Sequence, residues 1–163
     1  DYHIQMPMQS AFIGWKQEPD EYLERILGHD RLEKLNPIRT FRDNNIVVSF
    51  GSDAPCTTPD PIAWMDRAVN NDNAGQAVSV QDALRMCTYN GAWAAFDEQE
   101  RGSLEAGKIA DMAVLSENPY TVPKNKLSGL RVERLYLGGK PYESCREGIL
   151  PMMLRGLTSR NKA

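Results

Sequence analysis

The sequence predicts an α/β fold: two β-strand-plus-helix units of a parallel sheet or barrel, followed by a small antiparallel β segment. Strand-like and helix-like segments alternate through residues 1–100, the order that parallel sheets and barrels are built from. Ile-Val-Val-Ser-Phe at 46–50 is a continuous run rather than a clean alternation, which fits a strand covered on both faces. Gly138 and Gly139 separate two strand-like runs, a hairpin signal. The expected organisation is an α/β unit over 1–100, a β segment over 101–145 and a tail over 146–163.

Each element has a local reason. Residues 2–13 read as a short strand running into a loop, with Ile4, Met6 and Met8 two apart and Pro7 and Ser10 interrupting any helix. Asp20 is placed to cap a helix through about Leu27, with Leu23, Ile26 and Leu27 on one face and Gly28 as the stop. Asn36-Pro37 reads as a second cap followed by Pro at the first helical position, with Ile38 and Phe41 buried. Asn44-Asn45 ends that helix and leads into the 46–50 strand, closed by Gly51. Asp60-Pro61 repeats the cap-plus-Pro device, and Ile62, Met65, Ala68 and Val69 form the stripe that follows. Residues 70–76 are a polar loop. Ser79 and Asp82 resemble a capping box ahead of Val80, Ala83, Leu84, Cys87, Gly91 and Ala94 at helical spacing, which predicts one helix across 79–94. Beyond Arg101 a turn-rich bridge precedes strands at 109–115, 132–137 and 140–143, with no helix until a short one at 149–157 and a frayed end.

Composition narrows the function classes. The chain has 163 residues, 41% hydrophobic and 25% charged, with a net charge of −3. That is enough for a sizeable core, and without a basic stripe interleaved with aromatics it excludes a nucleic-acid partner. The longest apolar runs fall far short of the ~20 residues that span a bilayer, so no membrane partner is expected. The strand-like sequence close to Asp1, without a leader pattern, reads as a cut inside a longer chain. Three cysteines, Cys56, Cys87 and Cys145, match neither a disulfide framework nor a metal knuckle and read as free thiols, which makes cytoplasmic the expected location. The two histidines, His3 and His29, form no His-x-His or His-Glu-x-x-His pattern, so these residues alone assemble no ordinary zinc site.

Asp53 is the most informative polar residue, because it follows the C-terminal end of the 46–50 strand. Side chains at that end of a parallel strand face the site in barrels and open α/β sheets. The competing reading is a loop aspartate capping the next turn. Cys56 lies three residues on, but without an assignable histidine partner it is not read as a nucleophile.

The run Ile-Val-Val-Ser-Phe-Gly-Ser-Asp-Ala-Pro-Cys-Thr-Thr-Pro-Asp-Pro at 46–61 resembles the last barrel strand and following loop of the amidohydrolase superfamily, and more narrowly amidohydrolase family 3. Met-Gln-Ser-Ala-Phe-Ile at 8–13 and Leu-Gly-His-Asp-Arg at 27–31 agree. The most specific match is Gly-Ser-Leu-Glu-Ala-Gly-Lys-Ile-Ala-Asp at 102–111, which resembles the re-entry into that family's small β-sandwich. The resemblance implies the C-terminal part of a (β/α)8 barrel, its last two βα units, plus the returning part of the sandwich. It implies a metal-dependent hydrolase of C–N bonds other than peptide bonds, with a divalent metal, usually zinc, and a small amide-type substrate. Asp53 matches the family's metal ligand and acceptor of the proton from the attacking water.

Intact members also supply a His-x-His from the first strand, a bridging carboxylate or carboxylated lysine, and histidines from the fifth and sixth strands, none of which matches here. The chain alone is therefore expected to be inactive and to bind no metal tightly. His3 matches no family ligand, and His29 in a Gly-His-Asp turn reads as a surface residue. Gln9 falls where the family keeps a Gln near the barrel mouth, either lining the pocket or supporting the core. Arg31 is a candidate fork for a substrate carboxylate, against an ordinary salt bridge with a helix carboxylate. Lys108 and Asp111 read as architectural, and Trp15, Trp64 and Trp93 as packing.

The alternative is a non-catalytic binding or assembly module that retains the fold fragment. A His-x-His encoded upstream of Asp1 favours the hydrolase; a start codon just before Asp1 favours the module. Two βα units leave strand edges and an apolar face uncovered. The chain alone is accordingly expected to self-associate or to require the missing barrel segment as partner. Sedimentation should show species larger than a monomer, and a monodisperse, cooperatively melting monomer would contradict this.

Overall fold

The computed structural model describes residues 4–13, 20–32 and 34–142. His3, Trp15, Glu143, Cys145 and the expected helix at 149–157 lie outside them. In chain order the elements are β1 (Gln5–Met8), α1 (Asp20–Leu27), α2 (His29–Leu32), α3 (Ile38–Asp43), β2 (Val47–Phe50), α4 (Pro61–Val69), α5 (Val80–Cys87), α6 (Tyr89–Ala94), β3 (Met112–Leu115), β4 (Val132–Leu137) and β5 (Lys140–Pro141). Strands β1 and β2 form a parallel pair, and β3, β4 and β5 form a separate antiparallel sheet.

Two helix starts follow the sequence closely. Asp60 Oδ1 accepts from the N–H groups of Ile62 (3.0 Å) and Ala63 (3.3 Å), with Pro61 at the first helical position. Such a cap contributes about 1 kcal/mol. At α5 the Ser79 hydroxyl accepts from the Asp82 N–H at 3.0 Å while the Asp82 carboxylate reaches back to the Ser79 N–H at 3.4 Å, a reciprocal capping box. Partial burial pushes the Asp82 carboxyl up, but the Ser79 hydroxyl and the Arg42 guanidinium outweigh it and hold the group below the usual carboxylate range. Gly28 ends α1 in the left-handed region, φ 78°.

Four expectations are corrected. Asn36 does not cap α3: it lies at φ 50°, outside the extended conformation an N-cap needs, and the helix begins at Ile38 without a side-chain cap. The segment read as a Gly-His-Asp turn is α2, one turn of helix started by Gly28, whose carbonyl accepts from Arg31 and Leu32. The single helix expected across 79–94 breaks at Thr88, φ −124° and ψ −90°. There the hydroxyl donates to the Leu84 carbonyl at 2.8 Å while the backbone N–H turns to Arg85 at 3.3 Å, so a side-chain bond displaces the regular ladder. Finally, the expected 109–115 strand begins at Met112, because the Ile109 N–H is taken by the Glu100 carbonyl at 2.7 Å.

Ile38, Val48 and Met65, all 2% exposed or less, centre a core that includes Ala68, Val69, Val78, Ala83 and Met86. A 3₁₀ turn at Lys124–Gly129, which carries no helical apolar period for the sequence to reveal, lies against α4 and inserts Leu127, 0% exposed. Leu130 joins the same cluster, and the Asn70 side-chain amide fixes the turn by donating to the Lys124 carbonyl at 2.8 Å.

The bridge from α6 to β3 is held by specific contacts. Lys108 Nζ donates to the Glu98 carbonyl (2.6 Å) and to Ser103 Oγ (2.7 Å). Asp111 Oδ1 accepts from Gly138 N–H at 2.8 Å, which ties the bridge to the β4–β5 hairpin turn. Gly102, at φ 89°, comes so close to α6 that an added Cβ would lie 2.6 Å from Ala92 Cβ and 3.1 Å from Tyr89 Cα. Gly107, at φ 94°, has nothing within 4 Å of that position. In urea unfolding, Gly102→Ala should therefore cost about 2–4 kcal/mol, left-handed strain plus overpacking, and Gly107→Ala about 1 kcal/mol, strain alone. Equal costs would show that the contact with α6 is not limiting.

Candidate functional site

The parallel register, Gln5↔Val47 through Met8↔Phe50, makes the chain leave β1 and β2 at the same end of the sheet. The Gly51 N–H continues the ladder to the Met8 carbonyl at 3.0 Å. Gln9 follows β1 directly and is half-buried, its carbonyl accepting from Phe12 N–H at 3.0 Å in a short 3₁₀ turn. Ser10, 0% exposed, anchors this turn by donating its hydroxyl to the Trp64 carbonyl at 3.0 Å.

Asp53 follows β2 after Gly51 and Ser52 and is exposed. Its φ of 52° is a left-handed conformation that aspartate tolerates better than most residues. The Asp53 carbonyl accepts from Cys56 N–H at 2.8 Å, and the Thr57 hydroxyl donates to the Ser52 carbonyl. The next turn is capped by Ser52 Oγ, which accepts from Ala54 N–H at 3.1 Å, so Asp53 is not the capping residue. Among the described residues nothing donates to the Asp53 carboxylate, which leaves its acceptor sites open. The Trp64 indole donates to the Thr58 carbonyl at 3.3 Å. Trp64 on α4 thus meets both strand exits, through its ring and through its backbone.

The other candidates divide around this end. Arg31 is exposed on α2, which packs on α1, and no hydrogen bond or ion pair joins it to Gln9 or Asp53. His29 is exposed, with Nδ1 3.2 Å from Glu24 Oε1. An open groove lined by Asn45, Ile46, Val47, Tyr89, Asn90 and Trp93 lies at the opposite end of β2 from Asp53. Among the described residues no three His, Cys, Asp or Glu side chains cluster as a metal site. Asp53 is thus a single open carboxylate at the strand exits, and one carboxylate by itself does not make up a four-coordinate metal site. The anchoring roles of Ser10 and Thr57 are not visible in sequence, because hydroxyl residues are common in loops and only burial distinguishes these two.

The model of the Amidohydrolase family matches residues 3–142. The chain belongs to the amidohydrolase family. It is 37% identical over 136 residues to an N-substituted formamide deformylase from Arthrobacter pascens, covering 79% of this chain and 23% of that protein. It is 30% identical over 128 residues to a 5-methylthioadenosine/S-adenosylhomocysteine deaminase from Caldanaerobacter subterraneus, covering 68% and 29%. Among solved structures, an uncharacterized metal-dependent hydrolase from Pyrococcus furiosus superposes with a TM-score of 0.62 at 25% identity, over 73% of this chain and 25% of that one. An adenosine deaminase from Xanthomonas campestris with bound zinc shares the fold at a TM-score of 0.54 and 20% identity, over 77% and 33%. This amidohydrolase chain thus spans about a quarter of the length of the relatives it matches. Among the described residues no helix is long and apolar enough to cross a membrane.

The two described thiols of the amidohydrolase chain differ in accessibility. Cys56 is exposed on the Asp53 loop. Cys87 faces the Pro61 carbonyl at 3.6 Å, and burial pushes its thiol up to about 12. Since the thiolate is the reactive form, a maleimide at neutral pH should label Cys56 in the native protein and leave Cys87 protected until denaturant is added. Peptide mass mapping reads the result, and rapid native labelling of Cys87 would contradict the packing of α5 on α4.

Proposed function

We propose that this chain is the C-terminal portion of a metal-dependent amidohydrolase that cleaves C–N bonds other than peptide bonds in small amide-type substrates. On this reading β1 and β2 are the last two strands of a (β/α)8 barrel, and β3–β5 are the returning part of a small β-sandwich. The observation that carries the proposal is the open Asp53 carboxylate at the C-terminal exit of a parallel strand buried on both faces. Functional groups of barrel enzymes gather at that end, and family membership supports assigning metal binding and proton transfer to that position.

A divalent ion, zinc on this reading, would supply Lewis-acid activation of water and of the scissile carbonyl. Asp53 supplies one ligand oxygen to it. The same carboxylate takes the proton from the attacking water and returns it to the departing nitrogen, which leaves as a neutral amine or ammonia. Gln9, at the same end of the sheet, is assigned to the substrate mouth. Arg31 is the proposed contact for a substrate carboxylate and carries less support, since α2 lies on α1 rather than at the strand exits. The family names of the relatives, a deformylase and a deaminase, agree on C–N bond hydrolysis while differing in substrate. Because the described residues offer one ligand, the chain without the rest of the barrel is assigned no activity of its own.

The test is Asp53→Asn in the full-length hydrolase. The amide is close to the carboxylate in size but is neutral and a poor base. Turnover should fall by about 10²-fold or more, metal content after dialysis should fall with it, and circular dichroism and the melting midpoint should stay near wild type. Near-normal turnover with full metal content would remove Asp53 from the mechanism.

A further inference from the structure

We propose that Thr57 is a positioning residue for Asp53: its buried hydroxyl holds the peptide plane that enters Asp53 and thereby aims the carboxylate. The proposal rests on the reading of Asp53 as a metal ligand and proton acceptor.

The loop itself shows the pattern. Ala54, Pro55, Cys56, Thr58 and Pro59 are exposed, whereas Thr57 is buried. A hydroxyl withdrawn from water needs a partner, and Thr57 donates to the Ser52 carbonyl. That carbonyl belongs to the peptide unit joining Ser52 to Asp53. The unit leaving Asp53 is held as well, by Cys56 N–H on the Asp53 carbonyl at 2.8 Å. With both flanking planes fixed, the Cα–Cβ direction of Asp53 is fixed too. This matters because Asp53 stands at φ 52°, where a non-glycine residue is disfavoured by roughly 1–2 kcal/mol and persists only if its surroundings hold it. Without the Thr57 bond the peptide unit entering Asp53 loses its anchor, φ can relax to negative values, and the Cα–Cβ direction of Asp53 changes with it.

The anchor is itself immobilised. The Trp64 indole holds the Thr58 carbonyl at 3.3 Å, and the Asp60 cap that starts α4 lies two residues beyond Thr58. Thr57 therefore ties the strand exit to a fixed helix start rather than to a free loop. It touches the backbone of Ser52 and not the reacting atoms, so its effect on chemistry passes through Asp53.

The experiment compares Thr57→Val, Thr57→Ser and Asp53→Asn in the full-length, metal-loaded hydrolase, reading kcat and KM separately, metal content after a chelator challenge, and the melting midpoint. Valine keeps the shape and removes the donor; serine keeps the donor. Thr57→Val should lower kcat and metal affinity by about 10-fold or more, the scale of losing a partner that orients a ligand, with KM and melting midpoint near wild type. Thr57→Ser should restore both. Amide exchange in 52–57 should quicken in Thr57→Val while α5 stays protected. If Thr57→Val does not fold, Thr57→Ala, which leaves room for water, gives the same comparison. Wild-type kcat and metal retention in Thr57→Val, beside an inactive Asp53→Asn, would overturn the role of Thr57 alone. A normal Asp53→Asn would overturn the Asp53 reading and this proposal together.

Discussion

The parallel pairing of β1 with β2 is the constraint on which the rest of the structure depends. Consecutive side chains on a strand point to opposite faces, so the burial of both Val48 (1% exposed) and Ser49 (5%) means that both faces of β2 are covered. A strand in that position tolerates no register slip, since a one-residue shift would exchange its faces. Helices α3, α5 and α6 pack against it. The register then determines where the chain emerges: Met8 lies opposite Phe50, so Gln9 and the Gly51-Ser52-Asp53 exit share one end. The shared end of Gln9 and Asp53 is a consequence of that pairing rather than of any contact between the two residues.

The two edges of β2 are treated differently. Val47 and Gly51 donate their N–H groups to Ile4 and Met8 on the β1 side. Alternation along the strand therefore directs the Val48 carbonyl to the opposite edge, where the Asn90 side-chain amide donates to it at 2.7 Å. Asn90 stands on α6, which exists as a separate helix because Thr88 breaks the preceding one. The break and the edge contact belong together: the backbone turns at Thr88, and Asn90 on the helix that follows reaches the Val48 carbonyl. Gly102, pressed against Ala92 on the same helix, holds the bridge to the second sheet.

Much of this was legible in the sequence because the signals were local. Asp60-Pro61 and Ser79 with Asp82 state their caps within a few residues, Gly138-Gly139 states its hairpin, and the Ile-Val-Val-Ser-Phe run before Gly51, mostly apolar without alternation, states a covered strand. What was not legible depended on competition or on distance. Asn36 has the composition of a cap but a left-handed backbone. Thr88 looked like an ordinary helix position until its hydroxyl took the Leu84 carbonyl. Leu127 is one apolar residue in a polar stretch, and only the long-range docking of its turn on α4 makes it core. At the candidate site, the placement of Asp53 followed from strand order, while the hydroxyls that hold the two exits, Ser10 and Thr57, became apparent only from their burial.

Ser10, Ser49 and Thr57 are the polar residues buried among those described: Ser49 is next to last in β2, Ser10 lies two residues beyond β1, and Thr57 is bonded back to the β2 exit at Ser52. Burying a hydroxyl without a partner costs about 1–3 kcal/mol, so an apolar residue would serve packing better if packing were the sole requirement. Ser10 and Thr57 instead spend their donors on backbone carbonyls, one on Trp64 and one on Ser52. A backbone carbonyl is a directional acceptor, and fixing it fixes the residues on either side, which hydrophobic burial does not do. The core thus holds the two strands side by side, and the hydroxyls set the course of the chain after it leaves them. Trp64 joins the two anchors through its carbonyl and its indole, so a displacement of α4 is transmitted to both exits. That coupling gives a rigid base to the exit loop of β2, whose middle residues 53–56 remain exposed.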